Sequence, residues 1–154
     1  MAVTMMAGLL LQQDRLAQVQ ARFDRETDAI HKAKLMPDLG DVEFQEAQKQ
    51  MAAGNLVGAL HWLEKFRDAA AGCEKALDEK GIDAEKHPSG YKQLEISLRS
   101  SLRRIDDLVV SLTLDEQKPF LELRKEIQEL DHHVMHELFP RQPGAAETSQ
   151  KKRN

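Results

Sequence analysis

Between residues 91 and 112, Tyr91, Leu94, Leu98, Leu102, Ile105, Val109 and Leu112 recur at steps of three and four. That spacing puts one continuous apolar face on an α-helix of about six turns. Lys92, Glu95, Arg99, Arg103, Asp106 and Asp107 fall between these positions and face water. A face of that length needs cover from other helices. Leu102→Asp, at its middle, is the single change expected to unfold the chain.

The covering helices follow from the same pattern. A first helix is expected over residues 5–34, where Leu9, Leu16, Phe23 and Ile30 stand seven apart with Val19 between. Gln12 and Glu26 are polar, so the stripe is narrow and closer to a coiled-coil seam than to a core face. Pro37 and Gly40 are expected to break the pattern. A short second helix, 41–53, carries Phe44, Ala47 and Met51 and ends at Gly54-Asn55. A third follows at once through Leu56, Leu60, Leu63, Phe66, Ala70, Cys73 and Leu77, and stops at Gly81. So short a connection makes the pair antiparallel. After a loop at 81–90 and the central helix, Thr113 and Glu116 have the spacing of a capping box. Pro119, which forfeits a bond to Asp115, argues against a complete one. The last helix runs through Phe120, Leu123, Ile127, Leu130, Val134 and Leu138 to Pro140.

These elements predict an all-α bundle of about five helices, with a short hairpin at 41–80 and a long antiparallel hairpin at 89–139. Residues 1–140 form one helical domain, and the polar, aperiodic stretch 141–154 is expected to be a disordered tail. Composition agrees. Of 154 residues, 41% are hydrophobic and 31% charged, which is globular, and only 5% are aromatic, so Leu fills most of the core. A net charge of −4 supplies no field for nucleic acid or anionic lipid, and no apolar run reaches the length of a membrane span. Cys73 is the only cysteine, which excludes an intramolecular disulfide and a thiolate zinc site. Residues 1–11, MAVTMMAGLLL, are either the buried first turns of helix one or the remnant of an export signal without its positive start. The address is therefore open between cytoplasm and export.

Ala47, Gly54-Asn55-Leu56, Ala59, Leu63 and Phe66 resemble the small and large positions of one tetratricopeptide-repeat unit, over residues 40–73. The resemblance implies a tight helical hairpin and, in stacked arrays, a peptide groove. Glu43 and Glu46 stand where the family has large residues, and Gly81 and Pro88 fall where a second copy would repeat Ala and Gly. Residues 87–91, HPSGY, are similar to small bacterial helical proteins that carry export signals.

Candidate chemistry concentrates in residues 131–137, DHHVMHE. His132 and His136 share a helix face, with Glu129 one turn earlier, and this stripe could hold a divalent transition metal weakly at the surface. It lies opposite the apolar positions Leu130, Val134 and Leu138, as a solvated charged face would. Cys73 reads as a buried hydrophobe and Arg99, Arg103 and Arg104 as an ion-paired surface. No other cofactor is implied. The leading expectation is a non-enzymatic helical interaction or scaffold module. It binds a protein partner or itself, with Phe23 on the narrow stripe and Trp62 beside the third helix as contact residues. Metal binding through Glu129, His132 and His136 is the alternative.

Overall fold

The structure is a computed structural model that describes residues 3–140, with side chains from residue 13 onward. The expected tail at 141–154, and the side chains of the expected signal remnant at 1–11, lie outside the described residues. Among the described residues six helices follow in order: α1 (Val3–Arg25), α2 (Ala29–Lys34), α3 (Met36–Ala52), α4 (Leu56–Glu79), α5 (Ser89–Val109) and α6 (Leu114–Leu138). The fold is an all-α bundle built on two hairpins, α3–α4 and α5–α6, with α1 packed on α3 and α2 set against α4 and α5. No helix among the described residues is long and apolar enough to cross a membrane.

The long first helix of the sequence reading is two helices. Glu26 Oε1 accepts the backbone N–H of Asp28 at 2.9 Å, and Asp28 Oδ1 accepts that of His31 at 2.8 Å. Asp28 thereby caps a new start, because its carboxylate satisfies an N–H that has no partner within the helix. The break turns Phe23 and Ala29 into one packed corner. Phe23 is 6% exposed, with the Lys32 ammonium 4.7 Å from its ring centre. The expected contact residue is thus a core residue.

The second expected helix begins at Met36 rather than 41, and both supposed breakers lie inside it. Pro37 occupies the first turn, where its missing N–H forfeits no bond. Gly40 faces Phe66 of α4, and a Cβ there would stand 3.0 Å from Phe66 Cε2. Glycine here lets two helices approach, and does not end one. Phe66 meets Phe44 edge-on, with centroids 5.6 Å apart. Ala47 and Ala59 are fully enclosed, and Gly54 turns the chain in the left-handed region at φ +74°. Asn55 then caps α4 through Gly58 N–H.

The α5–α6 corner is tied by side chains. Gln117 Nε2 donates to the carbonyls of Val109 and Leu112, both at 3.0 Å. The capping box of Thr113 and Glu116 is complete. Pro119 does not spoil it, since the proline lacks only its own N–H, one turn beyond the box, and its ring is exposed. On the long apolar face Leu98 and Ile105 are fully buried, whereas Leu102 is half-buried. The middle of that face is not its deepest point.

Among the described residues four polar side chains are buried, Glu43, Ser97, Ser101 and Asp131, and Glu43 is the more enclosed of the two carboxylates. Glu43 of α3 is 2% exposed, and its Oε2 has no hydrogen-bond partner. Burial pushes its carboxyl up to about 7, against smaller opposing pulls from Lys65 and from a hydrogen bond donated by the Gln20 side chain. The folded state therefore holds a proton that the unfolded chain releases near its ordinary value of 4.5. This contribution favours folding below that value and is lost as pH rises through about 7. Glu43→Gln removes the titration, so its stability advantage over the wild type should grow from pH 5 to pH 8 by about 2.5 kcal/mol. Urea unfolding of both proteins at the two pH values measures it. An advantage that does not change with pH would mean the Glu43 carboxyl titrates normally.

Candidate functional site

The buried stripe of α4 runs through Phe66, Ala70, Cys73 and Leu77. One position further round the helix at each turn are Arg67, Ala71, Glu74 and Asp78, which form one wall of a groove. The opposite wall is α6, through Glu126, Glu129, Leu130 and His133. The groove has a volume of about 540 Å³ and opens to solvent. Its carboxylates, Glu74, Asp78, Glu79, Glu126 and Glu129, outnumber its cations, Arg67 and Lys75. Arg67 is bound to Glu126 and to Asp68, and Lys75 lies 3.6 Å from Glu79. These pairs leave Glu74, Asp78 and Glu129 without a Lys or Arg partner among the described ion pairs.

At the centre of the groove, Glu74, Asp78 and His133 bring one ligand atom each to within 4.8 Å of one another. Glu74 and Asp78 are one helical turn apart on α4, so their carboxylates stack on one face. His133 reaches across from α6 and places Nδ1 against the Glu74 carboxylate. That contact holds the imidazole above its ordinary range, with the hydrogen bond outweighing partial burial. Asp78 is anchored from below. The Tyr91 hydroxyl, buried in α5, donates to Asp78 Oδ1 at 3.1 Å and also lies 3.3 Å from the Ile82 carbonyl. Burial and the neighbouring Asp78 push the phenol far up, so it stays a donor.

Glu129, His132 and His136 are all exposed on α6, as their shared stripe required. They do not come together with a third element. Among the described residues the convergent set is Glu74, Asp78 and His133, and of the expected ligands only Glu129 borders the groove. The correction is one of rotation. His133 lies 100° round the helix from His132, and that side faces α4. The Glu74-to-Asp78 spacing was a visible signal, but nothing local pairs it with residue 133. Asp131 of the same segment is turned inward and buried, 4.0 Å from Arg99 Nε, and burial raises its carboxyl.

Trp62 is half-buried at the edge of the core, with the Lys65 ammonium 4.3 Å from its ring centre. Cys73 is fully enclosed, and burial pushes its thiol up to about 12, which keeps it a protonated packing residue. Arg104 pairs with Asp41 at 2.9 Å across α5 and α3, and Arg99 with Glu95, as an ion-paired surface should.

No family model matches this chain, and no curated protein or solved structure matches it either. The tetratricopeptide resemblance therefore rests on the hairpin residues themselves.

Tyr91→Phe tests the anchoring of the groove. Losing the hydroxyl should lower stability by about 1 kcal/mol, read from urea unfolding. An unchanged midpoint would mean that Asp78 is not held by the phenol.

Proposed function

We propose that the protein is a helical binding module that holds a divalent transition-metal ion in the α4–α6 groove, on Glu74, Asp78 and His133. The observation that carries this reading is the convergence of two carboxylates and one imidazole from two helices within 4.8 Å. One nitrogen and two oxygen donors suit Zn²⁺, Ni²⁺ or Cu²⁺. Ligand atoms around such an ion stand about 3.4 Å apart, given bond lengths near 2.1 Å. An arriving ion would have to part His133 from Glu74, now in direct contact, to reach that spacing. The ion takes the place of the proton that His133 shares with Glu74, so binding releases protons and weakens in acid. Tyr91 fixes the orientation of Asp78 in the way that metal-bound carboxylates are commonly supported.

Calorimetric titration with Zn²⁺ separates this ligand set from the exposed stripe. His133→Ala should weaken binding by more than about tenfold, and Glu74→Gln should do the same. A combined His132→Ala/His136→Ala variant should bind as the wild type does. Loss in the combined variant with retention in His133→Ala would move the metal to the outer stripe, and absence of any saturable binding would end the metal reading.

A second reading is favoured by one further observation. Val57 at the start of α4, Val110 after α5 and Leu114 at the start of α6 are 81%, 80% and 81% exposed. All three lie at the end of the bundle where α4 and α6 begin. Leu56, Leu60, Pro119 and Phe120 line a shallow apolar hollow beside them. Such an end is suited to contact with a protein, including a second copy of the chain. On this reading Val110→Asp/Leu114→Asp should shift an associated species to monomer in sedimentation velocity, with the helical signal unchanged. A wild type that stays monomeric at high concentration would exclude self-association through this end.

A further inference from the structure

The opposite flank of α4 carries a second cleft, unrelated to the metal groove. One position before each buried residue of α4 stand Lys65, Ala69, Gly72 and Ala76. Three of these are small, and α1 rests on α3 rather than on α4, so space remains between α4 and the α1–α2 segment. Two adjoining cavities of about 340 and 530 Å³ occupy it, sharing Phe23, Asp24, Asp68 and Ala69. Each falls within the size range of small-ligand sites.

Acidic groups are strung along the cleft. Glu43 and Asp24 border the first cavity, and Asp24, Asp68 and Glu26 the second. The two lysines on the lining, Lys32 and Lys65, each hold their ammonium over an aromatic ring, Phe23 and Trp62 respectively. Neither forms a hydrogen bond to Glu43, whose Oε2 is buried without any partner. A buried polar atom left without a partner is uncommon in a folded protein and marks a place for a donor. The surrounding carboxylates favour a donor that brings N–H groups and positive charge and disfavour an anion. The carboxylates here are spread along a cleft rather than gathered at a point, and the convergent metal set lies on the other flank. Spaced charges against apolar walls of Phe23, Leu39 and Ala69 match a chain of methylenes that carries several ammonium groups.

We infer that this cleft binds a linear aliphatic polyamine, with one ammonium on Glu43 and the others on Asp24 and Glu26, Asp68 being already held by Arg67. The groups that face Glu43 are Gln20 and Asp24 from α1 and Lys65 and Asp68 from α4. Binding requires the ionised form of Glu43. Because burial holds that carboxyl at about 7, an arriving ammonium displaces its proton.

The test is calorimetric titration of the full chain with spermidine at pH 7, in two buffers of different ionisation enthalpy. The expected result is saturable 1:1 binding with release of about half a proton per ligand. Glu43→Gln keeps the side chain's size and removes a buried charge, and a thermal melt confirms that it folds. It should weaken binding by more than about tenfold and abolish the proton release. Asp24→Asn should weaken binding with the proton release retained, and His133→Ala, on the other flank, should bind spermidine as the wild type does. Absence of saturable binding, or equal binding by Glu43→Gln, would overturn the inference.

Discussion

The approach of α3 to α4 at Gly40 is the contact on which the remaining packing depends. Phe66 occupies the space where a Cβ would be, and from there it reaches Phe44 edge-on. Ala47 and Ala59, both fully buried, keep the rest of the crossing equally close. Small residues at a helix crossing exchange side-chain volume for backbone proximity, and an aromatic pair then fills what remains. With α3 held this tightly, α4 is fixed as the element that meets α2, α5 and α6 as well. The result is a tight helical hairpin, α3–α4, set as one unit within the bundle.

Fixing α4 also fixes what its flanks can do. The buried stripe separates two polar stripes, one carrying Glu74 and Asp78 and the other carrying Asp68 beside Ala69 and Gly72. The first faces α6 and gains His133, and the second faces α1 and gains Asp24, with Glu43 beneath. Both clefts are acidic, so cations are the ligands that electrostatics favours in each. They differ in geometry. Donors that converge to a point suit a metal ion, whereas donors spread along a channel suit an extended polycation.

Burial acts in the same direction on Cys73, Tyr91 and Glu43, with different outcomes. Cys73 loses its ability to ionise and becomes packing. Tyr91 stays neutral too, but its hydroxyl is used, and it ties α5 to Asp78 and the loop at Ile82. Glu43 keeps one carboxyl oxygen, Oε2, without a partner inside the core. A carboxyl in that state is poised to change charge near neutrality, which neither of the other two can do.

The stripes on single helices were legible from the chain alone. Every residue singled out on the buried face of the third helix, from Leu56 to Leu77, is buried or packed against the core, and the capping-box spacing of Thr113 and Glu116 is filled completely, against the expectation from Pro119. Helix starts that depend on one side chain were harder to see. Asp28 splits the first helix with two hydrogen bonds, and Gly40 serves packing because Phe66, far along the chain, needs the space. Periodicity is a property of one helix and its exposure to water, so sequence determined the elements, their apolar faces and the all-α class. Which polar residues meet is a matter of how two helices are rotated against each other. Glu74 and His133 are 59 positions apart, and a turn of 100° on α6 decides whether His132 or His133 faces α4. Only the packed structure settles that angle, because it is set by the interlocking of side chains from both helices rather than by either sequence segment.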